Sequence, residues 1–91
     1  MRTIWKAEIK PNSVRGEAYG ISVRATINAR AVSVGLQHGI VCVWFEAETT
    51  MEDDVLTIWC VGTGFGKVPD GKRFIGTVID GPHVWHFYAD E

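Results

Sequence analysis

Ala31-Val32-Ser33-Val34-Gly35-Leu36-Gln37-His38-Gly39-Ile40-Val41-Cys42-Val43-Trp44-Phe45-Glu46-Ala47-Glu48 carries the strongest structural signal in the chain. Two alternating apolar arms flank a short turn that contains glycine, the pattern of an antiparallel hairpin. In the first arm, Ala31 to Leu36, the period of two places Val32, Val34 and Leu36 on one face. In the second arm, Ile40 to Glu48, Val41, Val43, Phe45 and Ala47 share a face. Cys42 and Trp44 fall on the opposite face, which implies that both sides of this strand are covered.

The same period recurs outward from the hairpin. Thr3 to Ile9 places Trp5, Ala7 and Ile9 together, and Pro11-Asn12-Ser13 ends it with turn chemistry. Ile21 to Ile27 puts Ile21, Val23, Ala25 and Ile27 inward, with Ser22, Arg24 and Thr26 outward. Thr49 to Asp54 is polar and acidic and reads as an exposed hairpin loop. Val55 to Val61 is a further strand. Phe74 to Ile79 and His83 to Ala89 close the series, joined by Asp80-Gly81-Pro82. In the last strand His83, Trp85 and Phe87 face one way, and Val84, His86 and Tyr88 the other. About seven short strands separated by turn signals predict an all-β, mostly antiparallel domain, a small sandwich or a partly closed barrel. No boundary divides residues 1–91, so one domain is expected.

Composition narrows the function classes. Hydrophobic residues make up 46% of the chain and charged residues 22%, a globular balance rather than a disordered one. The net charge is −2 and the nine basic residues form no stripe, which disfavours nucleic acid as a partner. No apolar run reaches the ~20 residues of a membrane span, and none at the start resembles a signal peptide, so a cytoplasmic protein is expected. Cys42 and Cys60 lie in apolar runs, where thiols usually act as small buried hydrophobes.

The longest irregular stretch, Gly62 to Lys72, is the candidate site. Val61-Gly62-Thr63-Gly64-Phe65-Gly66-Lys67 follows a strand, and glycines there can let backbone N–H groups converge on an anion. No helix follows, so this is not a nucleotide-binding fingerprint. Thr63, Gly64, Phe65, Lys67, Lys72 and Arg73 are the candidate ligand-binding residues, and a turn-rich connecting loop is the simpler reading beside it. His83 and His86, three apart on a strand, point to opposite faces and do not suit one metal. No catalytic residue, metal ligand or cofactor is assigned. Glu46 and Glu48 share a face but read most simply as a solvated strand. Apolar residues on both faces of three strands leave one face for a second layer, a partner or self-association.

Several segments are similar to a family of small, uncharacterised phage- and prophage-encoded β-rich proteins. They are Ile4-Trp5-Lys6, the central hairpin from Val32 to Trp44, Val61-Gly62-Thr63-Gly64, Ile75-Gly76-Thr77-Val78, and Gly81-Pro82-His83-Val84-Trp85-His86-Phe87. Pro11 to Ala25 departs from the pattern, and His38 stands where the family usually has Asn. The resemblance implies phage origin and supplies no activity. It suggests a binding protein that inhibits a bacterial defence system, by occupying a host protein or by caging a small anionic signal in a homo-oligomer. A virion module is the alternative, followed by a small nucleotide-cleaving hydrolase using His83 or His86.

Overall fold

Alternating apolar and polar residues build seven strands in the computed structural model, which describes residues 1–90. They are β1 (Arg2–Glu8), β2 (Tyr19–Thr26), β3 (Arg30–Gln37), β4 (Ile40–Glu48), β5 (Asp53–Gly62), β6 (Arg73–Asp80) and β7 (His83–Ala89). Every pairing is antiparallel. One sheet runs β1-β4-β3 and the other β2-β5-β7-β6. The two face each other across a shared core, so the fold is an all-β sandwich and not a closed barrel. No helix occurs among the described residues.

The central hairpin forms as its sequence dictates. Gln37 pairs with Ile40, and His38 (φ 53°) and Gly39 (φ 75°) make a two-residue turn. Positive φ at both turn positions matches the twist of the flanking strands. Thr49 to Asp54, expected as a hairpin loop, does something else. It carries the chain from one sheet to the other, because β4 and β5 belong to different sheets. Gly62 to Lys72 leads from β5 past β7 to the edge strand β6.

Apolar side chains from both inner faces fill the core. Val43, Phe45, Ile58, Cys60 and Phe87 are almost wholly buried, with Val23, Ala25, Val41, Leu56 and Val78 around them. Removing a buried phenylalanine of this kind from water contributes about 1.5–3 kcal/mol. Cys42 is equally buried on the outer face of β4, so that side is covered as expected.

Two expected faces need correction. Val32, Val34 and Leu36 do not line the core together: Val34 packs against it, Ala31 is fully buried, and Val32 and Leu36 are exposed. A register shift between Ala31 and Ser33 turns Val32 out and Ala31 in, because an extra residue moves the pattern by one position. Leu36 stays on the Val34 side, opposite Val41, and is exposed next to the hairpin turn. Thr26, expected outward, is only 4% exposed. It pairs with Asp53 at the end of β2, and the next residue is tied to the crossing segment, Ile27 N–H donating to the Glu52 carbonyl at 2.9 Å.

A second bulge lies in β6 between Phe74 and Gly76. It turns Ile75 toward the core and brings Gly76 against β3. Gly76 has φ +152°, and a Cβ built there would sit 2.8 Å from Cγ2 of Val34. Arg73 ties the same seam, its guanidinium donating to the Ala31 carbonyl at 2.6 Å. Gly76→Ala is therefore expected to lower stability by about 1–3 kcal/mol, through strain and overpacking together. Val34→Ala, destabilising alone, is expected to recover part of that loss in the double variant. Urea denaturation of the four proteins checks this, and simple additivity would show that the contact is not what glycine relieves.

Candidate functional site

The outer face of the four-stranded sheet carries a row of aromatic residues where a fully solvated face would be polar. Trp59 pairs with Tyr88, and Tyr88 with Phe74, so three aromatic residues form one row across β5, β7 and β6. Gly20 continues the row on β2 as the register partner of Trp59. A Cβ at Gly20 would lie 3.0 Å from the Trp59 ring, so glycine there makes room for the indole. Phe74 and Tyr88 meet edge to face with centroids 5.4 Å apart. Phe74 remains 54% exposed, and Val55 and Ile79 on the same face are 58% and 67% exposed. Lys72 Nζ sits 5.9 Å from the Trp59 ring centre and 2.8 Å from Asp90. Ser22, Arg24, Thr57, Thr77 and His86 share this face, so the aromatic area is concentrated in the row itself. Exposed aromatic area of this kind is characteristic of partner binding.

Next to this row lies His86. Its Nε2 is 2.7 Å from Thr63 Oγ1 and its Nδ1 is 2.9 Å from Thr77 Oγ1. Both ring nitrogens are thus engaged by threonine hydroxyls, and no carboxylate orients the ring as in a nucleophile–base–acid arrangement. His83 points to the other face and stacks on Trp85, with centroids 5.2 Å apart.

The glycine-rich loop closes mostly on itself. Phe65 N–H and Gly66 N–H both donate to the Gly62 carbonyl, and Thr63 N–H donates to Val84. A Cβ at Gly66 would lie 2.5 Å from the Glu17 carbonyl oxygen, so the loop packs tightly on the Val14–Glu17 turn. Arg15 lies over the Phe65 ring at 5.0 Å. Thr63 and Phe65 line a shallow cleft of about 220 Å³ with Ser13, Pro82, His83 and Trp85.

The cations singled out in the sequence do not line that cleft. Lys67 is exposed, 4.0 Å from Asp70. Lys72 pairs with Asp90 beyond the end of β7, whereas Thr63 lies beside Val84 near its start. Arg73 is committed to Ala31. The structure brings Thr63, Gly64 and Phe65 together and sets Lys72 and Arg73 apart from them. The aromatic row was only partly visible in the sequence, because its members come from positions 59, 74 and 88 and meet through register alone.

Cys42 and Cys60 are both free and buried, on opposite sheets. Burial pushes the Cys60 thiol from its ordinary 9.0 up to about 11, so the buried group stays protonated at neutral pH. No group of three or more His, Cys, Asp or Glu among the described residues could hold a metal ion. No helix among them is long and apolar enough to cross a membrane.

A model of the family DUF7352, a domain of unknown function, matches residues 1–91. No curated protein and no solved structure matches the chain.

The raised Cys60 pKa makes stability depend on alkaline pH. Between about 9 and 11 the unfolded chain loses the thiol proton while the folded chain keeps it. Unfolding then releases a proton, so stability is expected to fall as pH rises through that window. Denaturation at pH 8, 9, 10 and 11 checks this, with a shallower decline expected for Cys60→Ala.

Proposed function

The chain belongs to the DUF7352 family, and we propose that within it this protein is a non-catalytic binding protein. It docks a bacterial host protein on the outer face of the four-stranded sheet and thereby blocks a defence function. The observation that carries this reading is the aromatic row of Trp59, Tyr88 and Phe74, laid across three adjacent strands and still partly exposed. Tryptophan and tyrosine in such a setting are the residue types that dominate binding energy. Val55 and Ile79, exposed toward opposite ends of the same face, add apolar area and favour a partner that presents apolar anchors. The resemblance to small phage proteins supports a host target and an inhibitory role, in the cytoplasm of an infected cell.

Caging of a small anion is the less favoured version. Three of the loop's N–H groups already donate within the fold, and Lys67, Lys72 and Arg73 do not converge on Thr63. A virion role gains no support from any feature of either sheet.

Phage plating on bacteria that carry individual defence systems tests the reading. Expression of the protein is expected to restore plating against one system. Tyr88→Ala with Phe74→Ser is expected to abolish that rescue while the circular dichroism spectrum is kept. With the purified target, Tyr88→Ala alone should weaken binding by roughly 30-fold or more, the scale of a hot-spot residue at about 2 kcal/mol. Lys67→Ala with Thr63→Ala should leave rescue intact. The opposite pattern, with the loop variant inactive and the face variant active, would move the site to the glycine loop and favour an anion.

A further inference from the structure

The β3 and β6 strands close one side of the sandwich, and β1 is left as the free edge of the three-stranded sheet, opposite β3. This edge is unusual in three respects. It pairs with β4 over all seven residues without a bulge, it contains no proline, and Ile4 and Trp5 on it are 52% and 38% exposed. Natural edge strands commonly carry some device that prevents pairing with another chain. Here the only such device is charge, and the charges are arranged in a self-complementary order.

The backbone bonds define which groups are free. Ile9 N–H donates to Val41, and Thr49 N–H donates to Met1, so the odd-numbered residues of β1 turn their N–H and C=O toward β4. The antiparallel alternation then turns those of Arg2, Ile4, Lys6 and Glu8 to the open edge. Two copies related by a two-fold axis perpendicular to the sheet keep their inner faces on the same side. The axis must then pass through a residue, not between two, because opposed side chains share a face.

Three registers give a substantial overlap. An axis on Ile4 sets Arg2 against Lys6 of the second copy, twice. An axis on Lys6 sets two lysines face to face. An axis on Trp5 sets Arg2 against Glu8 of the second copy and Ile4 against Lys6, and it uses all seven residues of β1. Only this register opposes unlike charges and no like ones, and every residue with a free N–H and C=O meets another of the same kind. Glu8 makes no ion pair within its own chain among the described residues, and its β4 neighbour is Cys42. The two Trp5 residues meet at the axis as the close pair of the ladder, each ring already edge-on to Phe45 at 6.2 Å.

We propose that the partner of β1 is a second copy of this chain, paired antiparallel with Trp5 on the two-fold axis, giving one continuous six-stranded sheet. The interface is small, so the dimer forms and dissociates readily. It lies apart from the aromatic row and stands or falls independently of the proposed target.

Light scattering coupled to size exclusion, with the intact chain loaded at on the order of 100 μM, tests this. A mass of twice 10.1 kDa is expected. Glu8→Arg places two arginines opposite each other at each end and is expected to weaken dimerisation by about tenfold or more. Arg2→Glu combined with Glu8→Arg restores the opposed charges and is expected to return affinity to within about threefold of the parent. Ile4→Pro removes an N–H that faces the open edge and not β4, so the folded monomer is expected to survive while the dimer is lost. A monomeric parent, or a dimer indifferent to Glu8→Arg and not rescued by the double exchange, would overturn the proposal.

Discussion

The seam between β3 and β6 is the constraint on which the rest of the molecule depends. Val34 fits over Gly76 at a distance that leaves no room for a Cβ, and Arg73 reaches across to the Ala31 carbonyl. Each strand carries a bulge beside the seam, between Ala31 and Ser33 and between Phe74 and Gly76. A bulge adds a residue and bends the strand. Here the two bends let the edges of two sheets approach on one side. Ala31 and Val34 then point into the core, as does Ile75, and Val32 is left outside.

The exposed surfaces follow from that closure. With β6 held against β3, the bulge sends Phe74 outward beside Tyr88 and extends the aromatic row to the sheet's edge. With one side of the sandwich closed, the free edge of the three-stranded sheet is β1, whose backbone groups face away from β4. The two surfaces are built from different chemistry. The sheet face offers aromatic area and one lysine ring contact, suited to an apolar anchor. The edge offers backbone donors and acceptors in fixed register, suited to another strand.

Much of the architecture was legible because a strand's period of two is short and local. Val41, Val43, Phe45 and Ala47 line the core as the alternation requires, and His83 and His86 separate to opposite faces. The bulges were not legible. Nothing in Ala31-Val32-Ser33 announces an extra residue, and one insertion exchanges the roles of Val32 and Ala31. Nor did the loops declare their destinations: Thr49 to Asp54 has hairpin chemistry but spans two sheets. The site shows the same division. The glycine loop stands out in the sequence because glycine is locally distinctive, yet three of its N–H groups are consumed by Gly62 and Val84. Trp59, Phe74 and Tyr88 are ordinary strand residues until non-local pairing sets them side by side.

The central claim is that the outer face of the four-stranded sheet contacts the target. Site-specific photocrosslinking in bacteria tests it most directly, with a photoreactive phenylalanine analogue placed at Phe74 in one experiment and at Lys67 in another. The account predicts that position 74 captures one host protein in a discrete adduct, that Tyr88→Ala abolishes the adduct, and that position 67 captures nothing. A discrete adduct from position 67 with none from position 74 would contradict it.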